Sequence, residues 1–183
     1  MPAIREKAHL MSASEIDRTL VRLAHEILEK TRNLDELAFI GIRRRGLPLA
    51  QRLASKIGLL EKRQIPVGEL DISLYRDDLS TVGDSAVVNQ TNISFSVTGK
   101  DVVLMDDVLH TGRTVRAALD ALVRHGRPAR VQLLVLIDRG HRELPIEARY
   151  VGRMVQTTDS EMIEVKFNEI DQTEKVLLLE RTG

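Results

Sequence analysis

The chain has 183 residues, of which 43% are hydrophobic and 30% charged, and its formal net charge is zero. This length suits one domain, predicted to span residues 1–183, and a chain without net charge can attract an anionic partner only through a local basic patch. The absence of cysteine excludes disulfides and thiolate catalysis and predicts a cytoplasmic location, while the longest apolar run, residues 133–137, is too short to cross a membrane.

The first half of the chain predicts two helices and two strands. Residues 12–30 predict a helix, because a capping-box pair precedes a stripe of apolar residues at helical spacing. Residues 37–42 predict a short apolar strand, and a second helix follows from residue 47. A further strand is predicted over residues 67–75, whereas the polar residues 76–90 are typical of a loop or hairpin.

The second half alternates buried strands with a helix. Strands are predicted over residues 102–105 and 131–137, with a helix over residues 115–122 between them. Shorter strands are predicted over residues 163–167 and 176–179. Nearly continuous apolar strands separated by helices are typical of a parallel sheet that is covered on both faces. The predicted fold class is therefore α/β, with an open, mostly parallel sheet.

The strongest functional signal lies in residues 102–114, where a strand ends in two aspartates, followed by a small-residue turn and a helix. Ligands bind at the carboxyl ends of strands in such sheets, and the backbone N–H groups of a helix N-terminus bind phosphate. The acid pair, Asp106 and Asp107, would repel phosphate, so it suits the hydroxyls of a phosphorylated sugar or a cation shared with that sugar. The predicted phosphate cradle comprises Val108, Leu109, His110, Thr111, Gly112, Arg113 and Thr114.

This segment has two other interpretations. The acid pair could merely cap the following helix, with no ligand involved. A mononucleotide kinase is disfavoured, because the pattern G-x-x-x-x-G-K-S/T is absent from the chain.

Residues 102–114 resemble the diphosphate-sugar signature of type I phosphoribosyltransferases. Residues 41–46, 71–79 and 138–146 follow the order found in the bacterial pyrimidine-operon regulators that also act as uracil phosphoribosyltransferases. The resemblance runs from about residue 16 to the end of the chain. It implies that the protein converts uracil and phosphoribosyl pyrophosphate to UMP and pyrophosphate. It also implies a Mg²⁺ ion carried with the sugar diphosphate, since no cluster of side chains has metal-ligand spacing.

The resemblance also implies roles for particular segments. The arginine turn (residues 43–45) would bind pyrophosphate, and residues 76–90 would close over it as a flexible hood. Uracil would lie beside residues 138–146, with its ring against Ile137, and Asp138 is a candidate general base. Taken alone, each segment could instead be a solvated turn or loop. The predicted catalytic residues are Asp106, Asp107, Arg76 and Arg139; the further substrate-binding residues are Arg43, Arg44, Arg45, Ile137 and Asp138.

Members of the family also bind the leader mRNA of pyrimidine operons in response to uridine nucleotides such as UMP and UTP, and they form homodimers or higher homo-oligomers. Basic side chains are candidates for such a surface, since RNA binding depends on contacts to phosphate. The alternative is a solvated face with charge pairs. Four residues depart from the family pattern: Val21, Glu147, Arg44, which replaces a threonine, and His110, which replaces a tyrosine. The predicted RNA-binding residues are Arg18, Arg22, His25, His141, Arg142 and Arg153.

Two competing functions stay open on the sequence. One is a non-enzymatic regulator that senses phosphoribosyl pyrophosphate and binds a nucleic acid. The other is a phosphoribosyltransferase for a different base, such as hypoxanthine, adenine or orotate.

Overall fold

The structure, a computed structural model, describes residues 3–73 and 90–183. Its main sheet has five parallel strands in the order β3-β2-β4-β5-β6, and a second sheet has three antiparallel strands in the order β1-β8-β7. The parallel sheet confirms the predicted α/β fold. The elements are β1 (Ala3–Ser12), α1 (Ala13–Lys30), β2 (Leu37–Ile42), α2 (Gly46–Glu61), β3 (Val67–Leu70), β4 (Asp101–Leu109), α3 (Arg113–Leu122), β5 (Arg130–Asp138), β6 (Tyr150–Met154), β7 (Glu161–Lys166), α4 (Asn168–Asp171) and β8 (Lys175–Thr182).

Helices cover both faces of the parallel sheet. Alternate side chains of a strand point to opposite faces, so Phe39 and Met105 pack with α1 and α2, whereas Ile40 and Leu104 pack with α3. These side chains have no accessible surface. No helix within the described residues is long and apolar enough to span a membrane.

Helix α1 begins as predicted. The Ser12 hydroxyl accepts a hydrogen bond from the Glu15 N–H, and the Glu15 carboxylate accepts one from the Ser12 N–H at 2.7 Å, which completes the capping box. Such a cap stabilises a helix by about 1 kcal/mol. The buried stripe consists of Ile16, Leu20, Leu23, Ala24 and Ile27.

Two strand boundaries differ from the prediction. Strand β4 continues through the acid pair to Leu109, because its parallel pairing with β5 extends to Asp138. Strand β3 ends earlier, at Leu70, where the Asp71 carboxylate accepts hydrogen bonds from Ser73 and from the Gln90 N–H. Residues 76–89 of the predicted hood, including Arg76, lie outside the described residues.

The three-stranded sheet was not predicted as a unit. Strand β1 is mostly exposed and rich in charged residues, so it has no apolar alternation. It is held by ion pairs to the end of the chain, among them Arg5 with Glu180 at 2.8 Å and Lys7 with the buried Glu161 at 2.6 Å. Strand β6 was also missed, since Tyr150 is its only fully buried residue.

Candidate active site

The carboxyl ends of β2 and β4 open into a cavity of about 370 Å³. Because parallel strands end at the same edge of a sheet, segments distant in sequence meet there. The cavity brings together the arginine turn, the acid pair and the start of α3. Its lining residues are Ile42, Arg43, Arg44, Arg45, Ile72, Asp106, Asp107, Val108 and Thr114.

The arginine turn is held close to the neighbouring strands. The Arg43 N–H donates to the Leu70 carbonyl at 2.9 Å, and the peptide bond between Arg43 and Arg44 is cis. Helix α2 begins directly afterwards at Gly46, where an added Cβ would lie 2.3 Å from the Met105 carbonyl oxygen. Only glycine therefore allows the turn to approach β4 so closely.

The side chains of the arginine turn have different partners. Arg43 lies 3.9 Å from the Glu69 carboxylate, and Arg45 donates to Asp171 at 2.7 Å, with its buried Nε unpaired. Arg44 is exposed and has no ion pair with any described residue. Arg44 is thus the guanidinium best placed to meet a diphosphate, whereas Arg45 connects the turn to α4.

The acid pair is fixed by the backbone that follows it. The Asp106 Oδ1 accepts from the Asp107 N–H, and the Asp107 Oδ1 accepts from the Val108 N–H, both at 2.9 Å. Asp106 is 8% exposed. Carboxylates held this way at the cavity wall are oriented acceptors for hydroxyl groups.

The cradle contains a residue whose backbone conformation favours glycine. Gly112 precedes α3 with a φ of 93°, and an added Cβ would lie 3.3 Å from the Ile146 Cβ. The positive φ strains any residue other than glycine, and a Cβ here would also require the Ile146 side chain to shift slightly. Helix α3 has ten residues, and its N-terminal N–H groups favour an anion.

The base loop (residues 139–149) connects β5 to β6 and is fastened to the cradle. The Arg139 N–H donates to the Leu109 carbonyl at 3.0 Å, and the Thr111 carbonyl accepts from the N–H groups of Glu143 and Leu144. The Arg113 side chain donates to Glu143 at 2.7 Å. Cradle and base loop therefore form one bonded unit, as a site for a phosphorylated sugar and a base requires.

Arg142 makes four side-chain hydrogen bonds in and around this unit. Its guanidinium donates to both carboxylate oxygens of Asp138, at 2.9 and 2.6 Å, to the His110 carbonyl at 3.0 Å and to the Ile146 carbonyl at 2.8 Å. Arg142 was predicted as an RNA contact. In the structure its guanidinium donates to acceptors in the cradle and the base loop and to Asp138, and contact with RNA stays a prediction.

Asp138 is a poor candidate for a general base. Burial raises the pKa of its carboxyl, but the hydrogen bonds from Arg142 and from the Gly140 N–H outweigh burial, so the pKa lies below its ordinary value. A carboxylate with a lowered pKa is stably ionised and accepts a proton weakly at neutral pH.

The side chains of Arg139 and Ile137, which are also predicted to contact substrate, have protein partners in the structure. Arg139 is 8% exposed, and its guanidinium donates to the Thr157 hydroxyl and to the Glu161 carbonyl. Ile137 has no exposed surface, because its side chain packs in the core cluster next to α1 and α2. The described conformation thus leaves no Ile137 side-chain surface for a pyrimidine ring, and contact of Arg139 with substrate stays a prediction.

The predicted RNA-binding residues fall into two groups. The basic helix face (Arg18, Arg22 and His25) is exposed on α1, although Arg22 also pairs with Glu26 and donates to the Gly152 carbonyl of β6. Arg153 lies on the same strand and donates to the Leu10 carbonyl. His141 belongs to the base loop, where its Nε2 lies 2.6 Å from the Thr157 carbonyl.

Sequence reasoning missed residues that support the site from outside it. The Asp171 carboxylate holds Arg45, and Glu161 connects β1 to the segment that holds Arg139. Burial raises the pKa of Asp171, but hydrogen bonds from Arg45 and the Phe167 N–H lower it overall. These partners are far apart in sequence, so no local pattern indicated them.

Comparison with known proteins agrees with this geometry. A family model described as a phosphoribosyl transferase domain matches residues 12–169. The chain is 56% identical over 176 residues to a "Bifunctional protein PyrR" of Pelotomaculum thermopropionicum, covering 96% of this chain and 97% of that protein. It is 54% identical over 180 residues to the protein of the same name from Thermus thermophilus, covering 98% and 99%.

Solved structures show the same fold at low sequence identity. A hypoxanthine-guanine phosphoribosyltransferase of Bacillus anthracis has a TM-score of 0.71 at 21% identity, covering 97% of this chain and 99% of that chain. A hypoxanthine phosphoribosyltransferase of Trypanosoma cruzi has a TM-score of 0.69 at 16% identity, covering 96% and 98%. At these identities the likeness concerns the fold alone.

Proposed function

Because the chain belongs to the phosphoribosyltransferase family and, within it, to the bifunctional PyrR proteins, we propose that it transfers phosphoribosyl to uracil and regulates pyrimidine genes through RNA. The substrates would be uracil and phosphoribosyl pyrophosphate, and the products UMP and pyrophosphate. The proposed enzymatic activity rests on one observation, the cavity in which the arginine turn, the acid pair and Thr114 converge.

Each part of the cavity matches one part of the sugar diphosphate. The N–H groups at the start of α3 bind the 5-phosphate, and the acid pair accepts hydrogen bonds from the ribose hydroxyls. The arginine turn lies where the pyrophosphate departs, with Arg44 as the guanidinium that has no ion pair among the described residues. Uracil then occupies the space beside the base loop.

The reaction is a displacement at C1 of the ribose. Uracil N1 forms the new bond while the bond to pyrophosphate breaks, and positive charge develops on the sugar ring, as in glycoside cleavage. Fixed donors near the leaving group stabilise the negative charge that it gains. The rate enhancement therefore comes mainly from the positions of the substrates and from the electrostatics of the arginine turn.

We infer that Mg²⁺ arrives with the diphosphate. No cluster of three or more His, Cys, Asp or Glu side chains suited to a metal lies within residues 3–73 and 90–183. The oxygen ligands that Mg²⁺ prefers are supplied by the diphosphate and by hydroxyls next to the acid pair. When bound, the ion would neutralise charge on the departing pyrophosphate.

A turnover assay with a panel of bases tests the enzymatic half. Purified protein, phosphoribosyl pyrophosphate and Mg²⁺ are mixed with uracil, hypoxanthine, adenine or orotate, and pyrophosphate release is followed. We expect release with uracil alone. Release with another base would reassign the substrate, and tight binding of the sugar diphosphate without release would indicate a non-enzymatic sensor.

The proposed regulation through RNA depends on the basic helix face. Arg18 and His25 are exposed on α1, near Arg153 and the edge strand β6. Guanidinium groups that face solvent can contact RNA phosphates, which makes the affinity depend on salt. We therefore propose that α1 and β6 bind the leader mRNA, that UMP and UTP in the active site modulate this binding, and that the protein works as a homodimer or larger homo-oligomer.

Replacing Arg18 should weaken RNA binding without affecting turnover. We expect Arg18→Ala to lower affinity for a pyrimidine-operon leader RNA and to reduce the slope of log K against log salt concentration by about one. Arg63→Ala removes the same charge beside Asp35, away from this surface, and should leave both quantities unchanged. Equal affinities of the two variants in a filter-binding titration would exclude the basic helix face as the RNA contact.

A further inference from the structure

We propose that His110 is a catalytic residue, the group that accepts the proton released by uracil N1 during transfer. This inference rests on the proposed function, since it assigns a role within the same reaction.

His110 belongs to the cradle and contacts the base loop. It follows β4 directly, so the acid pair and the cradle flank it in sequence, and its carbonyl accepts a hydrogen bond from Arg142 of the base loop at 3.0 Å. Its half-buried ring contacts the His141 ring edge-on, with the centroids 6.0 Å apart. The side chain thus faces the loop beside which the pyrimidine is expected.

The imidazole is available to a ligand. Within the described parts of the chain, neither ring nitrogen of His110 has a hydrogen-bond partner; the edge-on contact with His141 is its only ring interaction. A partly buried histidine without a protein partner at a substrate junction is suited to bonding with the substrate.

The surrounding charges favour the neutral imidazole. Burial lowers the pKa of His110, and the neighbouring Arg139, His141 and Arg142 lower it further, while Glu143 opposes them. The pKa therefore lies below that of an ordinary histidine, and the ring is uncharged at neutral pH. The proton-accepting form exists above this pKa and is lost as the pH falls through it.

Nearby groups are less suited to the role. Asp138 is ionised and bonded on both oxygens by Arg142. The Nε2 of His141 is bonded to the Thr157 carbonyl, and its Nδ1 lies 3.6 Å from Asp159. The acid pair is engaged with the sugar hydroxyls in the proposed complex.

The proton balance of the step is simple. The N1 electron pair forms the bond to C1 of the ribose, and the pair of the breaking C–O bond leaves with pyrophosphate. The N1 proton passes to an imidazole nitrogen of His110, which becomes an imidazolium. That proton is then released to water, which restores the neutral ring for the next turnover.

The test compares His110→Asn with the wild type and with His125→Asn, a control at an exposed histidine outside the site. We expect His110→Asn to lower kcat with uracil by about 100-fold and to remove the acidic limb of the pH profile. UMP affinity, measured by calorimetry, should change by less than about threefold, since the amide still hydrogen-bonds. The control should retain the wild-type kcat and profile.

A substituted base separates proton transfer from simple positioning. Fluorine makes the N1–H of 5-fluorouracil more acidic than that of uracil, so less help from a base is needed. The loss of kcat in His110→Asn should then be smaller with 5-fluorouracil, whereas a structural defect would affect both bases equally. Equal losses, or an unchanged acidic limb in the variant, would overturn the assignment.

The wild type gives an independent check if the variant does not fold. Its kcat/KM for uracil should fall as the pH is lowered through the pKa of His110, below about 6.5. A profile without an acidic limb would contradict the proposal while leaving the uracil activity itself in place. If no base supports pyrophosphate release, the proposed function fails instead, so the two failures are distinguishable.

Discussion

Converting both members of the acid pair to amides, as Asp106→Asn with Asp107→Asn, is expected to lower kcat/KM for phosphoribosyl pyrophosphate by about 10²- to 10⁴-fold. Each carboxylate is held at the cavity wall by the next backbone N–H and would accept a charge-assisted hydrogen bond from a ribose hydroxyl. Such bonds contribute about 1.5–3 kcal/mol each, and the amides retain only the weaker neutral bond. Steady-state pyrophosphate release with saturating uracil measures the change.

A matched control shows whether the effect depends on the position of the two carboxylates or only on the loss of two negative charges. Asp35→Asn with Asp120→Asn removes two carboxylates that do not line the cavity, and we expect wild-type kinetics from it. Calorimetric melting of both double variants shows whether the fold is retained. Wild-type kcat/KM in the acid-pair variant would mean that these carboxylates do not contact the sugar.

Arg142→Ala is expected to destabilise the protein by about 3 kcal/mol and to lower kcat/KM for uracil at least about tenfold. The change removes bonds to Asp138, His110 and Ile146 and leaves the Asp138 carboxylate partly buried without its cation. Breaking one side of a buried ion pair typically costs 3–5 kcal/mol. Urea unfolding at neutral pH measures the first effect, and uracil titration at saturating sugar diphosphate measures the second.

The pH dependence of this destabilisation has a definite sign. Because the pKa of Asp138 is lowered in the folded protein, the ion pair stabilises it above the ordinary aspartate pKa, about 3.9. That stabilisation is lost as the pH falls through the folded pKa, so the difference between wild type and Arg142→Ala should shrink in acid.

Arg149→Ala is the control for Arg142→Ala, since it removes an exposed arginine from the same loop. Its unfolding free energy should change by less than about 0.5 kcal/mol. If Arg142→Ala weakened RNA binding but left stability and uracil kinetics at wild-type values, Arg142 would be an RNA contact and not a support of the site.

Local patterns allowed much of the fold to be predicted. The capping box of α1 and the apolar runs of β2, β4 and β5 depend on near neighbours in sequence, and each was placed within a few residues. The segment from the acid pair through Thr114 was recognisable because one strand, one turn and one helix start carry it. These features report local backbone preferences and need no distant partner.

What the sequence did not predict depends on distant partners. Strand β1 is held by β8 at the other end of the chain, and its charged residues give no periodic signal. Arg142 was assigned to the RNA-binding surface because it is a basic residue in a chain that resembles RNA-binding regulators, and its acceptors in three separate parts of the site were not predicted. Ile137 packs in the same core cluster as its neighbour Leu136 and not with Val135, so simple strand alternation does not predict where its side chain lies.

The most direct measurement is a single-turnover reaction with isotopically labelled uracil, phosphoribosyl pyrophosphate and Mg²⁺, followed by mass spectrometry of the products. The proposed function predicts labelled UMP and pyrophosphate in equal amounts, and neither product from the acid-pair variant on the same timescale. Bound phosphoribosyl pyrophosphate with no labelled UMP would contradict it, because the cavity would then bind the sugar diphosphate without transferring it to uracil.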